Sequence, residues 1–119
     1  MTCSLSLDFE SFSDVDLLRC GVYRYVASER FDIICASYRL DGGKLLTWWP
    51  GEPLPEAFHI ATRINAWNAQ FERLVWNSRA GRRHGFPARP ADWFYCTAAR
   101  SRAIGAPGRL DRAARFFRL

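Results

Sequence analysis

Ser4-Leu5-Ser6-Leu7-Asp8-Phe9-Glu10-Ser11 is the stretch that decides the fold. Small polar residues alternate with apolar ones, a period of two that predicts a short strand over residues 4–9. Strand alternation puts Asp8 and Glu10 on one face at the strand's end, roughly 7 Å apart along it. Two carboxylates so placed can hold one hydrated Mg²⁺ or share a pair of metals. Exposed acids at strand ends are also common as plain solvated groups, so the remaining sequence has to decide between the two readings.

The chain has 119 residues, 49% of them hydrophobic, with five Trp, nine Phe and four Tyr, enough apolar surface for the core of one domain. It contains no run of eighteen apolar residues and no basic segment followed by an apolar stretch at its start, so neither a membrane span nor a secretory signal is indicated and a cytoplasmic location is expected. Cys3, Cys20, Cys35 and Cys96 are widely spaced without a Cys-x-x-Cys pair, which predicts buried reduced thiols rather than zinc or redox chemistry. His59 and His84 lie in no nucleophile or metal motif and are expected to be structural or superficial.

Charge is unevenly distributed. Residues 1–78 carry seven Lys or Arg against ten Asp or Glu, whereas residues 79–119 carry ten Arg against two Asp. An Arg-rich flank beside an acidic metal site suits an enzyme acting on nucleic acid, because guanidinium groups pair with phosphates while carboxylates hold the metal. Sixteen Arg against one Lys is equally what a biased base composition produces, and arginines scattered on helices are usually just solvated.

Beyond the first strand, residues 20–27 (CGVYRYVA) and 33–40 (IICASYRL) are rich in β-branched and aromatic residues. Asp41-Gly42-Gly43 then turns into a further strand at residues 44–49, which predicts an antiparallel meander of three or four strands. The Pro/Gly segment 50–55 closes it, and residues 55–62 form a short helix with Ala57, Phe58 and Ala61 inward. Residues 63–67 read as a buried strand, with Asn68 in the N-cap position of a helix reaching about residue 79 and stopped by Gly81. Its apolar face is Phe71, Leu74 and Val75, in line with Arg79, with Arg73 and Asn77 outside. A basic loop over 78–90, an extended segment at 92–96, a helix over 97–104, a turn at 105–108 and a helix over 110–117 complete the chain. Strands first as a meander, then strand and helix in alternation, predict an α/β domain with one mixed sheet flanked by helices.

Glu72 lies one helical turn beyond Asn68. If residues 63–67 pair beside residues 4–9, it faces Asp8 and Glu10 and three acids converge; periodicity alone does not fix that pairing. Phe9 is expected to pack into the core opposite the acids, while for Phe12 both core packing and stacking on the terminal base stay open.

Two segments carry a resemblance. Leu5-Ser6-Leu7-Asp8-Phe9-Glu10-Ser11-Phe12-Ser13 resembles the first motif of the DEDD 3′-5′ exonucleases, and Ala66-Trp67-Asn68-Ala69-Gln70-Phe71-Glu72-Arg73 resembles the second. Residues 93–117 are similar to the segment that follows in the proofreading domain of phage-type family A DNA polymerases. The resemblance implies a ribonuclease H-like fold, with Asp8, Glu10 and Glu72 as catalytic residues and ligands of two Mg²⁺ or Mn²⁺ ions. It also implies that Asn68 and Phe71 shape the site around the terminal nucleotide, with Phe12 a further candidate to contact substrate, and that single-stranded DNA 3′ ends are the partner. In such a two-metal site one ion activates the attacking water and the other stabilises the leaving 3′ oxygen.

Two departures qualify the resemblance. Glu72 stands where many members have Asp. The family's third motif, a Tyr or His four residues before a final Asp, has no match: Ala99 follows Tyr95 at that spacing, and Pro107 precedes Asp111. The expectation is therefore one incomplete exonuclease domain over 1–119, truncated before the third motif and weak or inactive unless a downstream polymerase segment or chain completes it. The alternative is an inactive remnant that binds single-stranded nucleic acid or has no selected role.

Overall fold

The computed structural model of the chain describes residues 2–98. The elements predicted over 97–104, 105–108 and 110–117 lie mostly or wholly outside them. Five strands form one mixed sheet: β1 (Ser4–Phe12), β2 (Asp32–Leu40), β3 (Leu46–Trp48), β4 (Arg63–Ala66) and β5 (Phe94–Cys96), in the order β3-β2-β1-β4-β5. β2 is antiparallel to β1 and to β3, whereas β4 runs parallel to both β1 and β5. This α/β architecture agrees with the predicted mixed sheet and is compatible with a ribonuclease H-like fold.

The alternation of β1 works as expected. Leu5, Leu7 and Phe9 are buried, while Ser6, Asp8 and Glu10 are exposed on the other face. Opposite them on β2, Ala36 and Tyr38 join the apolar face, and Ile64 of β4 pairs with Leu5. The short α2 (Glu56–Ile60) sets Phe58 and the following Ala61 into this core, as predicted. Trp76, at the end of α3 (Ala69–Trp76), is fully buried among Phe9, Phe58, Phe86 and Phe94, with ring centroids 5.0–6.5 Å apart. Phe58 of α2 and Trp76 of α3 therefore pack these two helices onto the face of β1 away from Asp8 and Glu10.

One predicted strand is a helix. Residues 20–27 belong to α1 (Leu17–Ala27), which connects β1 to β2, so the antiparallel meander consists of β1, β2 and β3. The Asp16 carboxylate accepts from the Leu18 N–H at 3.0 Å and starts the helix, and Gly21, at φ 85°, kinks it. Tyr25 then packs its ring on Phe31 and Phe71. Strand propensity counts only where a sheet edge is available, and β1 pairs directly with β2, leaving CGVYRYVA to pack as a helix. This also exposes Cys20, contrary to the expectation of four buried thiols; Cys35 is buried, Cys3 and Cys96 are half-buried, and no disulfide joins any of them among the described residues.

The helix expected to reach residue 79 ends at Trp76, and a second one, α4 (Arg79–Arg83), occupies what was predicted as loop. Ser78 accepts from the Gly81 N–H at 3.0 Å and caps α4. Asn77, predicted to point outward, instead clasps the Arg89 backbone through both amide atoms, at 2.9 and 3.0 Å. Arg79, aligned with the apolar face in the sequence, is exposed. Gly81 lies inside α4 rather than stopping α3, and a β-carbon there would overlap the Trp76 carbonyl oxygen. Gly81→Ala should therefore destabilise the fold by about 1–3 kcal/mol, as overpacking does, measurable as a lower urea midpoint.

His84 bonds Asp32 at 3.0 Å and sets its ring edge on Trp48, a structural role, while His59 is exposed. Among the described residues no helix is long and apolar enough to cross a membrane.

Candidate active site

The predicted neighbour relation of β1 and β4 is present, and its shortness matters. Ser4, Leu5 and Ser6 pair with Arg63, Ile64 and Asn65. Just beyond, the chain leaves β4 through Trp67 and Asn68 into α3, while β1 runs on to Phe12. The Phe9 N–H, past the last β4 rung, donates to Glu72 Oε2 at 3.1 Å. A carboxylate from the first turn of α3 thus takes the position that a continuing strand would have filled, bonded to the residue between Asp8 and Glu10.

The local geometry at Glu10 is also irregular. Glu10 pairs with Cys35 but Ser11 pairs with Ile33, a bulge that leaves Ile34 unmatched. Bulges bend a strand and re-aim its side chains. Past this one, Ser11 turns toward α1 and shares a 3.1 Å hydrogen bond with the Tyr25 hydroxyl. The acid-bearing end of β1 is thereby tied to both α1 and α3.

Electrostatically the three acids form one cluster. Glu72 is only 5% exposed, and burial, reinforced by the charge of Asp8 and to a lesser extent Glu10, pushes its carboxyl from 4.5 up to about 8 against the favourable Phe9 N–H. Asp8 is raised by partial burial and then by Glu10. The Cys35 thiol, buried opposite Glu10, is raised by burial, with smaller contributions from both acids. Among the described residues the ion pairs all involve Asp32, and no Lys or Arg pairs with Asp8, Glu10 or Glu72. Among the described residues, therefore, no cationic side chain neutralises the three acids.

Oxygen-only donors of this kind suit a hard cation such as Mg²⁺ or Mn²⁺ and not zinc. As the side chains stand, no three Asp, Glu, His or Cys among the described residues close into a cage around one ion. Mg²⁺ commonly keeps several waters and takes only one or two carboxylates, so the donor chemistry fits it without such a cage.

The expected substrate-contacting residues separate. Phe12, at the end of β1, is 51% exposed. Asn68 occupies the N-cap position of α3 but its side chain makes no capping bond and is exposed. Phe71 turns inward, half-buried, with its ring 6.1 Å from that of Tyr25.

A cleft of about 540 Å³ opens on the same face as the acids, lined by Asp8 and Ser6 of β1, Ser37 and Arg39 of β2, and Asn65 and Trp67 at the end of β4. Its far wall is pinned where the Ala98 N–H donates to Trp67 O at 3.0 Å and the Thr97 hydroxyl to Ala66 O at 3.1 Å. Ser37, Arg39 and Asn65 did not stand out in the sequence, and Trp67 appeared there only as part of the segment resembling the second motif. Ser37 and Arg39 alternate with Ala36, Tyr38 and Leu40, but only the pairings Asp8 with Ser37 and Ser6 with Arg39 place them beside the acids.

Fold and site together define an α/β domain whose central strand carries two acids coupled to a third on α3, one of them, Asp8, lining an open cleft. The chain is 34% identical over 123 aligned residues to a DNA polymerase of Bacillus phage SP02, covering 98% of this chain but 18% of that protein. It is thus related to one segment, under a fifth of the length, of a phage DNA polymerase. No family model and no solved structure matches the chain.

Proposed function

We propose that this chain is a polymerase-associated 3′-5′ exonuclease segment in which Asp8, Glu10 and Glu72 hold Mg²⁺ or Mn²⁺ against the terminal phosphodiester of single-stranded DNA. The observation that carries this reading is the electrostatic coupling of three carboxylates, Asp8 and Glu10 on the central strand and buried Glu72 on α3, with no ion-pairing Lys or Arg among the described residues. The similarity to a phage DNA polymerase supports the polymerase association. Divalent ions held there would supply an activated water and charge stabilisation at the leaving oxygen. The protein's own part is positional. The Phe9 N–H fixes one oxygen of Glu72, the bulge after Glu10 aims the strand end, and exposed Phe12 offers a ring for the terminal base.

The sequence contains no Tyr or His four residues before an Asp, so no residue of this chain matches the family's water-orienting group. A second reading is that the chain binds single strands without cutting them. A 5′-labelled oligonucleotide with Mn²⁺ separates the two. The nuclease reading predicts a ladder of products shortened from the 3′ end, reduced at least ~100-fold in both Asp8→Ala and Glu72→Ala, as expected when a charge-stabilising group is removed from a transition state. Salt-sensitive binding without cleavage selects the second reading. Equal cleavage by all three proteins, or neither cleavage nor binding, contradicts the nuclease assignment.

A further inference from the structure

We propose that Arg39 is a substrate-positioning residue that grips the phosphate adjacent to the one addressed by Asp8, guiding an extended single strand along the cleft. The inference rests on the nucleic-acid reading above and deepens it.

Arg39 lies on β2 directly across from Ser6, one strand repeat from the pair formed by Asp8 and Ser37. Same-face positions separated by that repeat are roughly 7 Å apart, comparable to the step between successive phosphates of an extended strand. Both residues line the one cleft, and Arg39 is exposed. Among the described residues Arg39 makes no side-chain hydrogen bond and no ion pair, in contrast to Arg63, whose Nε donates to Asn65 and whose guanidinium covers the Tyr95 ring, and to Arg83, which pairs with Asp32. Its five donors are unused by the described residues and can serve a ligand. On a face where the acids repel an anion, this guanidinium is the one cationic group among the described residues that line the cleft, and its planar fork matches two phosphate oxygens at once.

The neighbouring groups complete a track. Ser6 and Ser37 supply hydroxyls between Arg39 and Asp8, and half-buried Trp67 forms an aromatic wall across the cleft. Arrangements of basic and aromatic groups along a groove bind single strands with little regard to sequence, because every base has a stacking face. The ligand class is accordingly an unpaired strand, held by its backbone.

The test is fluorescence anisotropy with labelled single-stranded dT12 at several salt concentrations in Mg²⁺, using the whole chain and its Arg39→Ala and Arg39→Lys variants. A phosphorothioate backbone limits turnover during the measurement. Removing a charge-assisted contact should raise Kd roughly tenfold in Arg39→Ala. The slope of log K against log salt should shrink by about 0.7, the value for one phosphate contact on a single strand. Arg39→Lys should recover part of the affinity and the full slope, since it restores the charge without the fork. Melting temperatures should be equal in all three proteins, which a merely structural role for Arg39 would not give. If wild type binds dT12 and Arg39→Ala binds with the same affinity and slope, Arg39 is a solvated surface charge and the inference falls while the nuclease reading stands. If wild type does not bind dT12 even at low salt, both fall.

Discussion

Glu72→Gln should abolish a loss of stability that the metal-free wild-type protein shows as pH rises from about 4.5 to 8. The folded chain holds the Glu72 carboxyl at about 8, against 4.5 in the ordinary state, because burial and then Asp8 oppose its ionisation. Between those two values the native state retains a proton that the unfolded chain has released, so unfolding becomes easier with every step upward in pH. The effect is fully absent below about 4.5 and complete above about 8, with a span on the order of a few kcal/mol. Glutamine keeps a carbonyl oxygen to accept from Phe9 and carries no charge, so the variant should match wild type at pH 4.5 and exceed it at pH 8. Urea unfolding of both proteins at half-unit pH intervals in EDTA measures this. Parallel curves for the two proteins would mean that Glu72 ionises freely and the acids are not coupled.

Trp76→Ala should cost about 3–5 kcal/mol, much of the stability of a domain this size. The indole is completely buried and meets four aromatic rings, and its N–H donates to Pro87 O at 2.6 Å, so truncation opens a large cavity and orphans a backbone carbonyl. Trp76→Phe refills most of the volume without the donor and should lose less. The site is affected as well, because Phe9 packs on Trp76 from between Asp8 and Glu10. A thermal midpoint for Trp76→Ala within a few degrees of wild type would show that this aromatic cluster does not organise the core.

The period-two pattern of residues 4–9 made β1 and the shared face of Asp8 and Glu10 legible from residue order alone, because a strand's faces follow directly from alternation. β2, β3 and the Asp41-Gly42 turn were also legible; both residues take positive φ, 50° and 72°, as a tight hairpin requires. α1 was not. Its tyrosines and valines favour a strand in isolation, and only the direct pairing of β1 with β2 removes that option. The break after Trp76 was hidden for a similar reason: Asn77 carries ordinary helical chemistry, and its clasp on Arg89 depends on how residues 86–90 return to the core. In the site, the acids could be picked out one by one, but the burial of Glu72 and its bond to Phe9 arise from β4 ending three residues short of Phe9. Arg39 was invisible until strand register placed it opposite Ser6.

Uptake of Mn²⁺ by the metal-free chain at pH 8, followed through the electron paramagnetic resonance signal of the free ion, tests the acid cluster most directly. Saturable binding by wild type, weakened about tenfold or more in both Asp8→Asn and Glu72→Gln, is the predicted result. No saturable binding, or the same binding in all three proteins, would contradict the assignment of Asp8, Glu10 and Glu72 as one cation-holding site.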